Sequence, residues 1–180
     1  MPFLIAALVI TGLLCVLNLI LTLGVIKRLR EHTELLSTIA QGPPAIEVGQ
    51  VVGEFETTTV DHEALTRDAL TGDTLVAFFS PTCGPCKEKL PKFVEHVRAL
   101  PGRDRSLAVV VGDRDQAQAF VADLRPVTRV VVEAGDGALS SAFRARAYPT
   151  LLRVGRDDAG RLVVTANKVE VDQPATLAVR

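Results

Sequence analysis

The rhythm of apolar and polar positions changes several times along the 180-residue chain, and each change predicts an element. From Met1 to Ile26 no side chain is charged; Lys27 is the first. A helix needs about 20 apolar residues to cross a bilayer core, so residues 1–26 are expected to form a transmembrane anchor, with 3–26 in lipid. A cleaved signal peptide is the alternative, but the charged leader and small-residue cleavage site it needs are missing. Leu29, Leu35, Leu36 and Ile39 then keep near-helical spacing among charged neighbours, which predicts an amphipathic stalk or a surface helix of the domain. Gln41-Gly42-Pro43-Pro44 ends it. Residues 27–48 are therefore read as juxtamembrane stalk and linker, and 49–180 as a folded domain.

Within that domain, Val51–Val60 reads as an irregular strand or one arm of a hairpin. Thr74–Ser80 is a continuous apolar run, the mark of a strand buried on both faces. Helical spacing follows from about Pro85 to Leu100, a second buried strand at Leu107–Val111, and a helix from Gln116 to Leu124. A third strand is predicted at Val127–Glu133, a short helix at Ala138–Ala145, and a closing hairpin of Thr150–Val154 with Arg161–Thr165. Alternating strands and helices followed by a hairpin predict an α/β domain.

Composition narrows the function. Twenty Lys and Arg against 21 Asp and Glu leave a formal charge of −1, so no basic field exists to attract nucleic acid. With no tryptophan, one tyrosine and seven phenylalanines, the core must rest on Val, Leu, Ala and Phe. Of the three cysteines, Cys15 falls inside the apolar segment and reads as a small residue in lipid. Cys83 and Cys86 stand three apart, and a bridge closing so short a loop restrains the unfolded chain weakly. The pair is thus chemical in character.

Ser80-Pro81-Thr82-Cys83-Gly84-Pro85-Cys86-Lys87 lies where a buried strand gives way to a helix. A helix N-terminus favours negative charge, which suits Cys83 as a thiolate nucleophile. Cys86, one turn on, is placed to resolve a mixed disulfide. Gly84 and Pro85 permit the turn. A zinc site would need two further ligands; no other cysteine lies beyond the apolar segment, and His32, His62 and His96 show no paired spacing and read as surface residues. Haem attachment would need His where Lys87 stands. Tyr148-Pro149-Thr150 before an apolar strand reads either as proline at a strand entry or as a cis-proline loop facing the cysteines. Pro91, inside the redox helix, is expected to kink it.

Taken together, Val76-Ala77-Phe78-Phe79, Cys83-Gly84-Pro85-Cys86-Lys87, Pro91 and Tyr148-Pro149-Thr150 resemble the thioredoxin superfamily. The spacing of 63 from Cys86 to Pro149 (149 − 86) accommodates the extra helix and strand of membrane-anchored TlpA/ResA-like proteins. The anchor, the charged stalk and Ser80-Pro81-Thr82-Cys83 look most like the MauD-type branch. The resemblance implies a thioredoxin-like fold with a central mixed sheet and an inserted helix and strand, preceded by one transmembrane helix. It implies Cys83 as attacking thiol, Cys86 as resolving thiol, and Pro149 as a cis-proline that shapes substrate binding and excludes metals. Thr82, Gly84, Pro85 and Tyr148 would flank the substrate, with no cofactor and no metal. The chain departs from the pattern in three places. Thr82 stands for the usual tryptophan, Ala77 for the buried acid, and Lys89, beside Glu88, for a glutamate common in TlpA/ResA-like proteins. The customary C-terminal helix is expected to be short or absent.

The expected activity is dithiol–disulfide exchange on protein substrates, with a membrane-embedded partner supplying electrons. The resemblance implies an extracytoplasmic domain. Lys27, Arg28 and Arg30, counted by the positive-inside rule, imply the opposite side. The Gly84-Pro85 dipeptide leans towards a reductase. Peroxidase and copper-delivery chemistry lack their spacings here. A non-catalytic thioredoxin-like module docking a membrane complex is the remaining alternative, and the retained cysteine pair argues against it.

Overall fold

A computed structural model describes residues 3, 12–15, 17–18, 45–70, 72–167 and 169–171. The chain forms two compact units, Met1–Gly42 and Pro43–Arg180. In the first, residues 12–15, 17 and 18 are helical, with Leu13, Leu14 and Leu17 exposed. Among the described residues no helix is long and apolar enough to cross a membrane. Most of the expected anchor and stalk, and any helix beyond residue 171, lie outside the described residues.

The second unit is built on a five-stranded mixed sheet of order β5-β4-β3-β6-β7. Its strands are β3 (Thr74–Phe79), β4 (Ser106–Val111), β5 (Arg129–Glu133), β6 (Thr150–Arg156) and β7 (Leu162–Asn167). β3 pairs parallel with β4 and antiparallel with β6, setting Ala77 between Ala108 and Leu151. β3 and β4 are buried along their whole length. Because side chains alternate across a strand, each apolar run feeds two cores. Leu75, Ala77, Phe79, Ala108 and Val110 point to one face, and Val76, Phe78, Leu107 and Val109 to the other.

The first face carries two helices, α1 (Gly84–Arg98) and α2 (Arg114–Leu124). α1 buries Cys86, Leu90, Phe93, Val94 and Val97, the spacing of a single apolar stripe. The helix runs unbroken through the exposed Pro91. His96 also lies on this buried side at 6% exposure, which corrects its reading as a surface residue: it follows from its position between Phe93 and Val97 on the stripe. Phe79 meets Phe93 edge-on with ring centroids 5.3 Å apart.

The opposite face is covered by the hairpin β1 (Glu56–Thr58) and β2 (Ala64–Thr66) and by α3 (Ala138–Ala142). The predicted strand 51–60 divides between two partners. Residues 56–58 pair with β2, whereas Gly49 and Val52 donate backbone hydrogen bonds to Val164 and Leu162 along the outer edge of β7. That covers an edge that would otherwise invite another strand. Ala45 and Ile46 are buried in the same core, Ile46 through a backbone bond to Phe143. α3 stops at Ala142, three residues short of the predicted helix, because Arg144 takes a left-handed φ of 49°. Ala145 N–H then bonds Ser140 C=O and Arg144 N–H bonds Ser141 C=O. This is a Schellman turn with arginine in the place glycine usually takes.

Candidate active site

The site forms where β3 ends and α1 begins. Cys83 is the N-cap of α1, in extended conformation, and Pro85 falls in the first turn, where its missing N–H is no loss. The Cys83 N–H bonds Ser80 C=O at 3.1 Å, and Lys87 N–H bonds Cys83 C=O at 3.3 Å. These two bonds seat the cysteine on a 15-residue helix that has no acidic side chain in its first turn. The positive end of the helix dipole is thus not neutralised from within.

The structure holds Cys83 and Cys86 as free thiols. Cys83 is half-buried, and its thiol donates to the Tyr148 carbonyl at 3.3 Å. The Tyr148–Pro149 peptide is cis, so a proline loop does face the pair. Thr150 Oγ1 donates to Ala147 C=O at 2.7 Å and closes that loop on itself. Cys86 has no exposed surface and packs with Leu75, Ala77 and Phe79. Burial pushes its thiol up to about 12, helped by the hydrogen bond with Cys83 and by that group's charge. The Ser80 N–H, donating to Cys86 Sγ at 3.4 Å, works the other way. Cys86 therefore stays protonated at neutral pH.

Thr82, Gly84 and Pro85 are exposed around Cys83, and Tyr148 and Pro149 are half-buried. Thr82 Oγ1 lies 3.2 Å from Ser80 Oγ. A groove of ≈ 740 Å³ opens beside them, walled by Pro85, Glu88 and Lys89 of α1 and by Pro149, Thr150 and Leu151. Cys83, Pro85, Tyr148 and Pro149, singled out from the sequence, thus lie together at one edge of the domain. One contributor carries no sequence signal. Ser80 acts through its backbone, which any residue has. Tyr148 leans on the α3 turn, where burial, opposed by the Ser140 hydroxyl and reinforced by the charges of Glu133 and Cys86, raises its phenol above the ordinary value. Among the described residues no three His, Cys, Asp or Glu side chains gather to hold a metal ion.

No family model and no curated protein matches the sequence. Solved structures do match the fold. The thioredoxin domain of a thiol-disulfide oxidoreductase from Bacteroides vulgatus superposes with a TM-score of 0.54 at 13% identity, covering 69% of this chain and 89% of that one. A thiol:disulfide interchange protein from Bacteroides sp. gives 0.54 at 15% identity, covering 71% and 84%. A thioredoxin family thiol:disulfide interchange protein from Chlorobium tepidum TLS gives 0.52 at 19% identity, covering 69% and 88%. The chain is similar to all three in architecture, and its α/β domain has a thioredoxin-like fold with a central mixed sheet.

Proposed function

We propose that this chain is a membrane-anchored thiol–disulfide oxidoreductase acting on protein disulfides. One observation carries the reading: a half-exposed thiol at a helix N-terminus, with a second thiol buried one turn behind it and a proline loop across from both. The sulfur of Cys83, as thiolate, attacks one sulfur of a substrate disulfide. A Cys83–substrate disulfide forms, and the other substrate sulfur leaves as a thiolate. Cys86 then gives up its proton and attacks Cys83 Sγ, releasing the second substrate thiolate and closing the Cys83–Cys86 bridge. Two electrons pass to the substrate, and an external dithiol must return them. Thr82, Gly84, Pro85, Tyr148 and Pro149 form the surface the substrate meets.

The apolar run 1–26 supports an anchor, 27–42 a stalk and linker, and 43–180, whose core takes in Ala45 and Ile46, the redox domain. The likeness to TlpA/ResA-like proteins supports an extracytoplasmic position and a reductase fed by a membrane-embedded electron donor; the likeness to the MauD-type branch would instead suggest helping a particular partner enzyme acquire its correct disulfides. Insulin reduction driven by dithiothreitol tests the chemistry with the full chain in mild detergent. Acceleration over dithiothreitol alone is expected, and an equal rate contradicts the proposal. A membrane-impermeant alkylating reagent tests the location. Labelling of reduced Cys83 in intact cells is expected, and protection until lysis would place the domain in the cytoplasm.

A further inference from the structure

Glu133 closes β5, and its side chain turns back onto the segment that follows. Its two carboxylate oxygens accept the backbone N–H groups of Leu139 at 3.0 Å and Ser140 at 2.6 Å, in the first turn of α3. Gly137, the N-cap, supplies no side-chain bond, and a Cβ there would overlap the Glu133 carboxyl. The glutamate thus does the capping that the N-cap residue ordinarily does. Ser140, held by that bond, is buried, and the Tyr148 side chain packs against the core cluster that contains Leu139, Ala142 and Phe143 of the α3 turn. Tyr148 in turn offers its carbonyl to the Cys83 thiol. The main chain of Glu133 bears on the other flank of the site. Its C=O accepts Gly112 N–H at 3.0 Å, and Gly112 stands so close to Pro81 that a Cβ would meet Pro81 Cδ at 3.2 Å. Pro81 is two residues before Cys83.

We propose that Glu133 is a positioning residue for the Cys83 thiol, acting through the α3 turn and Tyr148. The inference rests on Cys83 being the attacking group. It gives the site a carboxylate that bears on it from the sheet end, where Ala77 and Lys89 offer none. The connection runs through packing and hydrogen bonds, so it sets where the Tyr148 carbonyl sits and how firmly it holds the thiol proton.

The chain has one tyrosine and no tryptophan, so tyrosinate absorbance follows Tyr148 alone. The experiment uses the full chain as the dithiol, with Glu133→Gln, Glu133→Ala and Tyr148→Phe. The charge of Glu133 raises the Tyr148 phenol, so Glu133→Gln should lower the midpoint of its titration. Glu133→Ala should speed iodoacetamide alkylation of Cys83, read by mass spectrometry of its peptide, by about three- to tenfold, the span of one lost neutral hydrogen bond. In the Tyr148→Phe background that gain should vanish, since neighbours on one path are not additive. A fall in Tm with unchanged alkylation would make Glu133 a helix cap and nothing more, overturning the proposal. So would a Tyr148 midpoint unmoved by Glu133→Gln. If Glu133→Ala fails to fold, Glu133→Gln carries the alkylation test as well, because it keeps an oxygen for one N–H. Alkylation needs no protein substrate, so a chain that left insulin untouched would still answer this question.

Discussion

Cys83 caps its helix with the sulfur half-buried against a loop carbonyl, while Cys86, one turn below, lies wholly inside the apolar packing of β3 and α1. The two thiols share a helix and differ in medium. At the mouth, the sulfur is open to solvent at the positive end of the α1 dipole. Inside, desolvation works against charge and holds Cys86 as the thiol, up to about pH 12. The contrast teaches how depth would set the order of action in the proposed exchange: the exposed sulfur is the one placed to meet a substrate, and the buried one to act when a disulfide is brought next to it.

Removing the outer thiol should have the largest effect. Cys83→Ser is expected to drop insulin reduction to the rate of dithiothreitol alone, because no other sulfur in the site reaches the surface. Opening the inner medium comes next. Phe93→Ala takes away the partner of Phe79 and should lower stability by about 3–5 kcal/mol in urea unfolding. Its cavity lies in the cluster around Cys86.

A pH experiment separates the two media without mutation. The folded Cys86 holds its proton from the ordinary value of 9.0 up to about 12, whereas the unfolded chain releases it near 9. Over that interval the folded state binds more protons, so stability falls as pH rises. The Tm of the dithiol form should decline more steeply between pH 9 and 12 than that of the disulfide form, which has no thiol to titrate. Parallel curves would mean that Cys86 is not held in a dry environment. The smallest effect belongs to the surface. Thr82→Ala removes only an exposed hydroxyl contact with Ser80, and stability should move by less than about 0.5 kcal/mol.

How much of this was legible beforehand follows from the range of the interactions. β3 and β4 announce themselves as unbroken apolar runs, and the α1 stripe of Leu90, Phe93, Val94 and Val97 reads directly from its spacing. Cys83, Cys86 and Pro149 are marked by local motifs, and the fold brings them to one edge. Within 51–60 the hairpin arm was legible and the rest was not, because two pairing partners share the segment: β2, a few residues on, and β7, more than a hundred residues away. No local pattern encodes that choice. Arg144 hides the end of α3, since the left-handed turn that stops the helix is usually signalled by glycine. Glu133 was invisible as a site neighbour for the same reason as β7. Its bonds to Leu139 and Ser140, and the step from there to Tyr148, exist only after the strand and helix have packed.

The division of labour between the two sulfurs is tested most directly by trapping. Cys86→Ser, reduced and mixed with an oxidised protein substrate, should accumulate a disulfide between Cys83 and that substrate, visible as a band that collapses on reduction, and should turn over no further. Cys83→Ser under the same conditions should capture nothing. Capture by the Cys83→Ser chain through Cys86, at a rate like that of the converse variant, would contradict the account, because it would require the buried thiol to be as available as the exposed one.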